Sequence, residues 1–147
     1  MTKSRLPTSN EIAELVAFLP RLYAEGFEPV DCWMGGGQDA NGVFSLPWPE
    51  YNQVVLDFMH VAGRNSWLDF EYDPEEARQM LVNDDVIRSA SLAQVKTMLT
   101  FCVRGERFSD GHWAEMIESG YIRRLLERLI VLQSAQDSER ITPFPTG

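Results

Sequence analysis

The stretch SLAQVKTMLTFCVRGERFSDGHWAEMIESGYIRRLLERLIVL, residues 91–132, decides the fold. Leu92, Val95, Leu99 and Cys102, then Trp113, Met116 and Ile117, then Ile122, Leu125, Leu126 and Leu129 recur at three- and four-residue steps, the period of one helix face. Between the first two faces lies Arg104-Gly105-Glu106-Arg107-Phe108-Ser109-Asp110-Gly111-His112-Trp113, dense in charge, glycine and aromatic rings. It is too short to wander, so it reads as a tight junction between helices. No motif in the chain is specific enough to name a reaction.

Upstream, Thr8-Ser9-Asn10-Glu11 has the capping-box spacing and starts a helix with Ile12, Leu15, Val16, Leu19, Leu22 and Tyr23 as its apolar stripe. Pro20 falls inside that stripe, where it removes a backbone donor and crowds the preceding turn, so the spacing predicts a kink or two short helices. Val30, Cys32 and Met34 alternate with Asp31 and Trp33. After the loop Gly35 to Gly42 comes Val43-Phe44-Ser45-Leu46, and the Asn41-Gly42 pair between the two runs predicts a hairpin with a mobile loop. Pro47-Trp48-Pro49-Glu50 reads as the end of strand pairing and the first turn of a helix carrying Tyr51, Val54, Val55, Phe58, Val61 and Ala62. Trp67 to Tyr72 alternates again and is a candidate third strand. Asp73-Pro74-Glu75-Glu76 opens another helix, Ser89 or Ser91 caps the central one, and Ser109 or Asp110 caps the helix after the junction. Gly120 separates that helix from a last one running from Tyr121 to Ser134.

The expectation is one α+β domain over residues 8–134, helix-dominated, with about five helices and a two- or three-stranded antiparallel ribbon. Residues 135–147 have no apolar period and end in Pro143-Phe144-Pro145, which predicts a mobile tail.

The formal charge of −9 is uneven. Residues 1–90 hold six Lys/Arg against fifteen Asp/Glu, whereas residues 91–132 hold six against five. Most of the surface therefore repels a polyanion, and nucleic acid is not an expected partner. The helix-turn-helix alternative fails on the same ground: the helix from Asp110 to Ser119 carries Asp110, Glu115 and Glu118 and no Lys or Arg, and the basic residues Arg123, Arg124 and Arg128 fall on the last helix. No run has the roughly 18 apolar residues a membrane crossing needs, and no signal-peptide core follows Pro7, so a cytoplasmic address is expected. Cys32 and Cys102, in strand and helix interiors, suggest reduced, buried thiols instead of a disulfide framework.

Arg104 and Arg107 are the first candidates for binding, since two guanidiniums around a turn can clamp a carboxylate or phosphate. The preferred reading of the pair is structural: Arg104 suits a helix C-terminus, and either arginine can tie the junction to the acid-rich segment Asp69 to Asp85. Asp57/His60 and His112/Glu115 each set a carboxylate and an imidazole one helical turn apart, but no Cys or His spacing matches a zinc pattern, so neither metal nor cofactor is expected. Gly35-Gly36-Gly37 lacks the Lys-Ser/Thr and the following helix that a phosphate loop requires. Cys102 on an apolar stripe behaves as a small hydrophobe, and no serine sits in a nucleophile elbow. Trp33 and Trp48 adjoin glycine- and proline-rich loops, which predicts partial exposure at the rim of a ligand cleft.

The pattern Arg104-x-x-Arg107-Phe108-x-x-Gly111-x-Trp113, followed by Gly120-x-Ile122 and Leu125-Leu126-x-Arg128-Leu129, resembles the C-terminal half of a family of small bacterial proteins of unknown function. Tyr51 with its helix and the Trp67 to Tyr72 segment extend the resemblance over residues 10–132. The resemblance implies no activity. The resulting expectation is a non-enzymatic interaction or regulatory module of a bacterial cytoplasm. Its acidic surface and aromatic rim would meet a protein partner or small ligand, and self-association is open. The alternative is an enzyme or small-anion-binding domain using Arg104, Arg107 and His112.

Overall fold

The computed structural model describes residues 6–38 and 40–141, with side chains through residue 136. Helix α1 (Ser9–Val16) opens on the expected capping box: the Glu11 amide donates to the Thr8 hydroxyl and the Thr8 amide to the Glu11 carboxylate. Pro20 sits in the first turn of a separate short helix, α2 (Leu19–Leu22), where its missing N–H costs nothing. Strands β1 (Val30–Met34) and β2 (Trp48–Tyr51) form an antiparallel ribbon, and α3 (Gln53–Ala62) follows from an Asn52 cap. Then come α4 (Pro74–Leu81), α5 (Asp84–Arg88), the central α6 (Leu92–Arg104), a 3-10 turn at Gly105–Arg107, α7 (His112–Glu118) and α8 (Tyr121–Ile141).

The α+β, helix-dominated class holds, with more helices than the expected five. Pro20 splits the first helix, and Asn83-Asp84-Asp85 supplies a cap and two acids that start the short α5. The core lies where the periodicity put it: Val95, Leu99 and Cys102 of α6 and Ile122, Leu125, Leu126 and Leu129 of α8 are fully buried, together with Ile12, Leu15, Val55 and Phe58.

Several local expectations are corrected. The partner of β1 is Trp48–Tyr51 and not Val43–Leu46, with Trp33 opposite Pro49, Met34 opposite Trp48 and an irregularity at Asp31. A two-stranded ribbon has a free edge on each strand, so a proline is tolerated in β2 and the helix begins only at Gln53. Trp67 to Tyr72 makes turns and not a third strand. The Asp69 amide donates to Thr100 Oγ1 at 2.9 Å and the Thr97 hydroxyl to the Asp69 carboxylate at 2.7 Å, which pins this segment side-on to α6. Cys32 is exposed because both ribbon faces are largely open, whereas Cys102 is buried. Helix α8 continues past Ser134 to Ile141; just before that point Leu132 packs on the core and the Gln133 side chain donates to the Ser9 carbonyl. Of the expected mobile tail, residues 142–147 lie outside the described residues, as does Asp39 of the expected loop.

Candidate functional site

The junction between α6 and α7 is built by mutual capping. A helix end leaves carbonyls at its C-terminus and amides at its N-terminus without partners. Here α7 covers the carbonyls of α6, and the 3-10 turn between them caps α7. Trp113 Nε1 donates to the Val103 carbonyl at 2.8 Å, and His112 Nε2 lies 3.2 Å from the Phe101 carbonyl, both within the last turn of α6. A carbonyl only accepts, so in this contact the ring nitrogen is the donor. The imidazole lies against Gly105, where a Cβ would overlap the ring.

The N-terminus of α7 is capped from outside its own sequence. The expected caps, Ser109 and Asp110, are not used: the N-cap residue is Gly111, at φ +91, and the acceptor is Glu106. One oxygen of Glu106 accepts from the Gly111 amide at 2.9 Å. The other accepts from the Trp113 amide at 2.9 Å and the Tyr51 hydroxyl at 2.7 Å. Burial, then the hydrogen bond to the Glu106 carboxylate, push the Tyr51 phenol well above the usual tyrosine range. Tyr51 ends β2, so this bond also fixes the ribbon on the junction, and the Tyr51 and Trp113 rings pack 5.1 Å apart.

The other candidate residues are placed as follows. Arg104 sits on the rings of Phe70 and Tyr72, its guanidinium carbon 5.7 and 5.8 Å from their centroids. The acid-rich segment therefore meets it through aromatic faces instead of carboxylates. Arg107 is exposed and, among the described residues, has no ion pair or hydrogen bond. Both arginines line a groove of about 360 Å³ with Gly63, Leu68, Val103, Glu106 and Trp113. His112 is buried and turned inward, so it does not join the arginines in that groove. Trp33 and Trp48 are 53 and 43% exposed, as expected of rim residues, but the register puts them on opposite faces of the ribbon. Trp48 lies on Gly35, and Trp33 lies across Gly111.

Trp33 thereby forms one wall of a second groove, about 730 Å³, between the ribbon and α7. Its lining combines Pro29, Val30, Trp33 and Ala114 with the carboxylates of Glu28, Asp110, Glu115 and Glu118, and includes no cationic residue. None of these four carboxylates has an ion pair among the described residues. Composition signalled an acidic surface, but not that the hairpin would bring Glu28 beside the acids of α7. Beyond the groove, Val43, Phe44 and Leu46 at the ribbon tip are 61, 75 and 85% exposed. Among the described residues no three His, Cys, Asp or Glu side chains stand together as a metal site, and no helix is long and apolar enough to cross a membrane.

A family model described as a family of unknown function (DUF6508) matches residues 7–135. No curated protein and no solved structure matches the chain.

Proposed function

The chain belongs to the DUF6508 family, whose function is unknown, and from that premise we propose that it is a non-enzymatic protein-interaction module that binds a basic segment of a partner protein. The observation that carries this reading is the Trp33 groove, with four unpaired carboxylates and an exposed indole lining one concavity. Carboxylates without internal partners attract Lys and Arg from outside, and an arginine can also stack on the indole face. The neighbouring apolar ribbon tip enlarges the contact surface, as exposed apolar patches at interfaces do. The long-range field favours the same partner, because residues 1–90 carry nine more acids than bases. A reducing compartment such as a bacterial cytoplasm suits the free thiols of Cys32 and Cys102.

Chemical-shift mapping with an amphipathic Lys/Arg-rich peptide tests the reading. The expected shifts fall on residues 28–33 and 110–119. Shifts confined to other faces, or none at all, reject it.

A further inference from the structure

The arginine-lined groove on the other side of the junction shares no residue with the acidic one. We propose that it is a binding site for a small monocarboxylate with a compact apolar body, its carboxylate held by Arg107 and Arg104.

Three features carry the assignment. Arg104 closes α6 and Arg107 closes the 3-10 turn after it, a three-residue step that keeps both on one side of the chain. Arg104 is already held in place: its guanidinium carbon lies over the rings of Phe70 and Tyr72, and among the described residues no carboxylate pairs with it. Arg107 has no competing acid among the described residues. The neighbouring Glu106 does not compete, because its oxygens accept from Tyr51, Gly111 and Trp113.

An anion beside a helix C-terminus ordinarily meets bare carbonyls and is repelled. Here the Phe101 and Val103 carbonyls are covered by His112 and Trp113, which removes much of that penalty. The choice of ligand follows from charge and surface. Two arginines and one glutamate leave the lining at +1, which a monoanion balances, and the remaining walls are Gly63, Leu68, Val103 and the Trp113 ring. A phosphate dianion would overshoot that charge and bring no apolar body to cover Leu68 and Val103. The cavity volume suits a ligand the size of a substituted benzene ring or a short branched acid.

Calorimetric titration of the full chain with benzoate tests the site, with benzyl alcohol as the uncharged analogue and inorganic phosphate as the hydrated anion. Benzoate is expected to bind with a dissociation constant of about 1 mM or below, at least about tenfold tighter than either control. Arg107→Ala is expected to weaken benzoate about tenfold, and Arg107→Lys by less, since lysine keeps the charge but not the fork. Arg107 is exposed and unpaired, so both variants should melt with the parent protein. Absence of saturable benzoate binding, equal binding of either control, or benzoate affinity indifferent to Arg107→Ala each overturns the proposal.

Discussion

The Tyr51 hydroxyl donates to the Glu106 carboxylate at 2.7 Å, joining the end of β2 to the turn between α6 and α7 across 55 residues of sequence. The same carboxylate caps α7, so one side chain holds the ribbon, the turn and the helix together. Glu106→Ala leaves two amides and a phenol without their acceptor. It should lower unfolding free energy by roughly 2–4 kcal/mol, and Tyr51→Phe by about 1 kcal/mol. Urea denaturation of the two single variants and the double variant should show a combined loss smaller than the sum, because both changes break one bond.

The raised Tyr51 phenol gives a pH dependence of definite sign. Its folded pKa lies above the unfolded value of about 10, so its contribution is complete below that pH. It fades as the pH rises towards the folded value, because only the unfolded chain then ionises. Tyr23 acts in the same direction: burial raises its phenol, whose hydroxyl donates to the Ile117 carbonyl at 2.8 Å. Urea titrations between about pH 9 and pH 11 should show falling stability for the parent and a shallower fall for Tyr51→Phe. Equal slopes would mean that Tyr51 ionises as freely in the folded protein as in the unfolded chain.

Gly105 is required for space and not for its backbone angles, which are ordinary at φ −62. A methyl group there overlaps the His112 ring and pushes it off the Phe101 carbonyl. Gly105→Ala is expected to cost about 1–3 kcal/mol by denaturation. Gly37→Ala is the matched control, since nothing lies within 4 Å of its added methyl, and should be near neutral.

Much of this architecture could be read from residue order. The stripes of α6 and α8, the Thr8 capping box, Ser91 as one of two candidate caps and the Asp73 cap are local patterns, and each is present. What stayed hidden depends on partners distant in sequence. Glu106 looked like one more charge in a turn, because its acceptor role needs Tyr51 from one strand and amides from the next helix. The alternation from Trp67 to Tyr72 fits a strand, but Thr97 and Thr100 of α6 capture Asp69 and make it a turn. Arg104 and Arg107 stand out in the sequence, but the rings that hold Arg104 do not, since opposite charge points to the carboxylates of Asp69 to Asp85 instead of the Phe70 and Tyr72 faces. The partial exposure of Trp33 and Trp48 is legible from their loops, but the pairing of β1 with Trp48–Tyr51, which sets the two rings on opposite faces, is not.

The exposed ribbon tip is tested separately from the acidic groove. Phe44 and Leu46 lie at the tip, away from the hydrogen bonds that anchor Tyr51, so Phe44→Ser with Leu46→Ser should leave melting nearly unchanged. If the tip adds area to the partner contact, the double variant should weaken peptide binding by several-fold while sedimentation of the free chain stays the same.

Fluorescence anisotropy of a labelled amphipathic Lys/Arg-rich peptide, titrated with the parent chain and with Glu115→Lys/Glu118→Lys, tests the interaction reading most directly. The parent is expected to bind with a dissociation constant of about 100 µM or below, weakening as salt rises, and the charge-reversed chain at least about tenfold more weakly. Failure of the parent to bind, or equal binding by the two chains, would contradict the claim that the Trp33 groove recognises a basic partner.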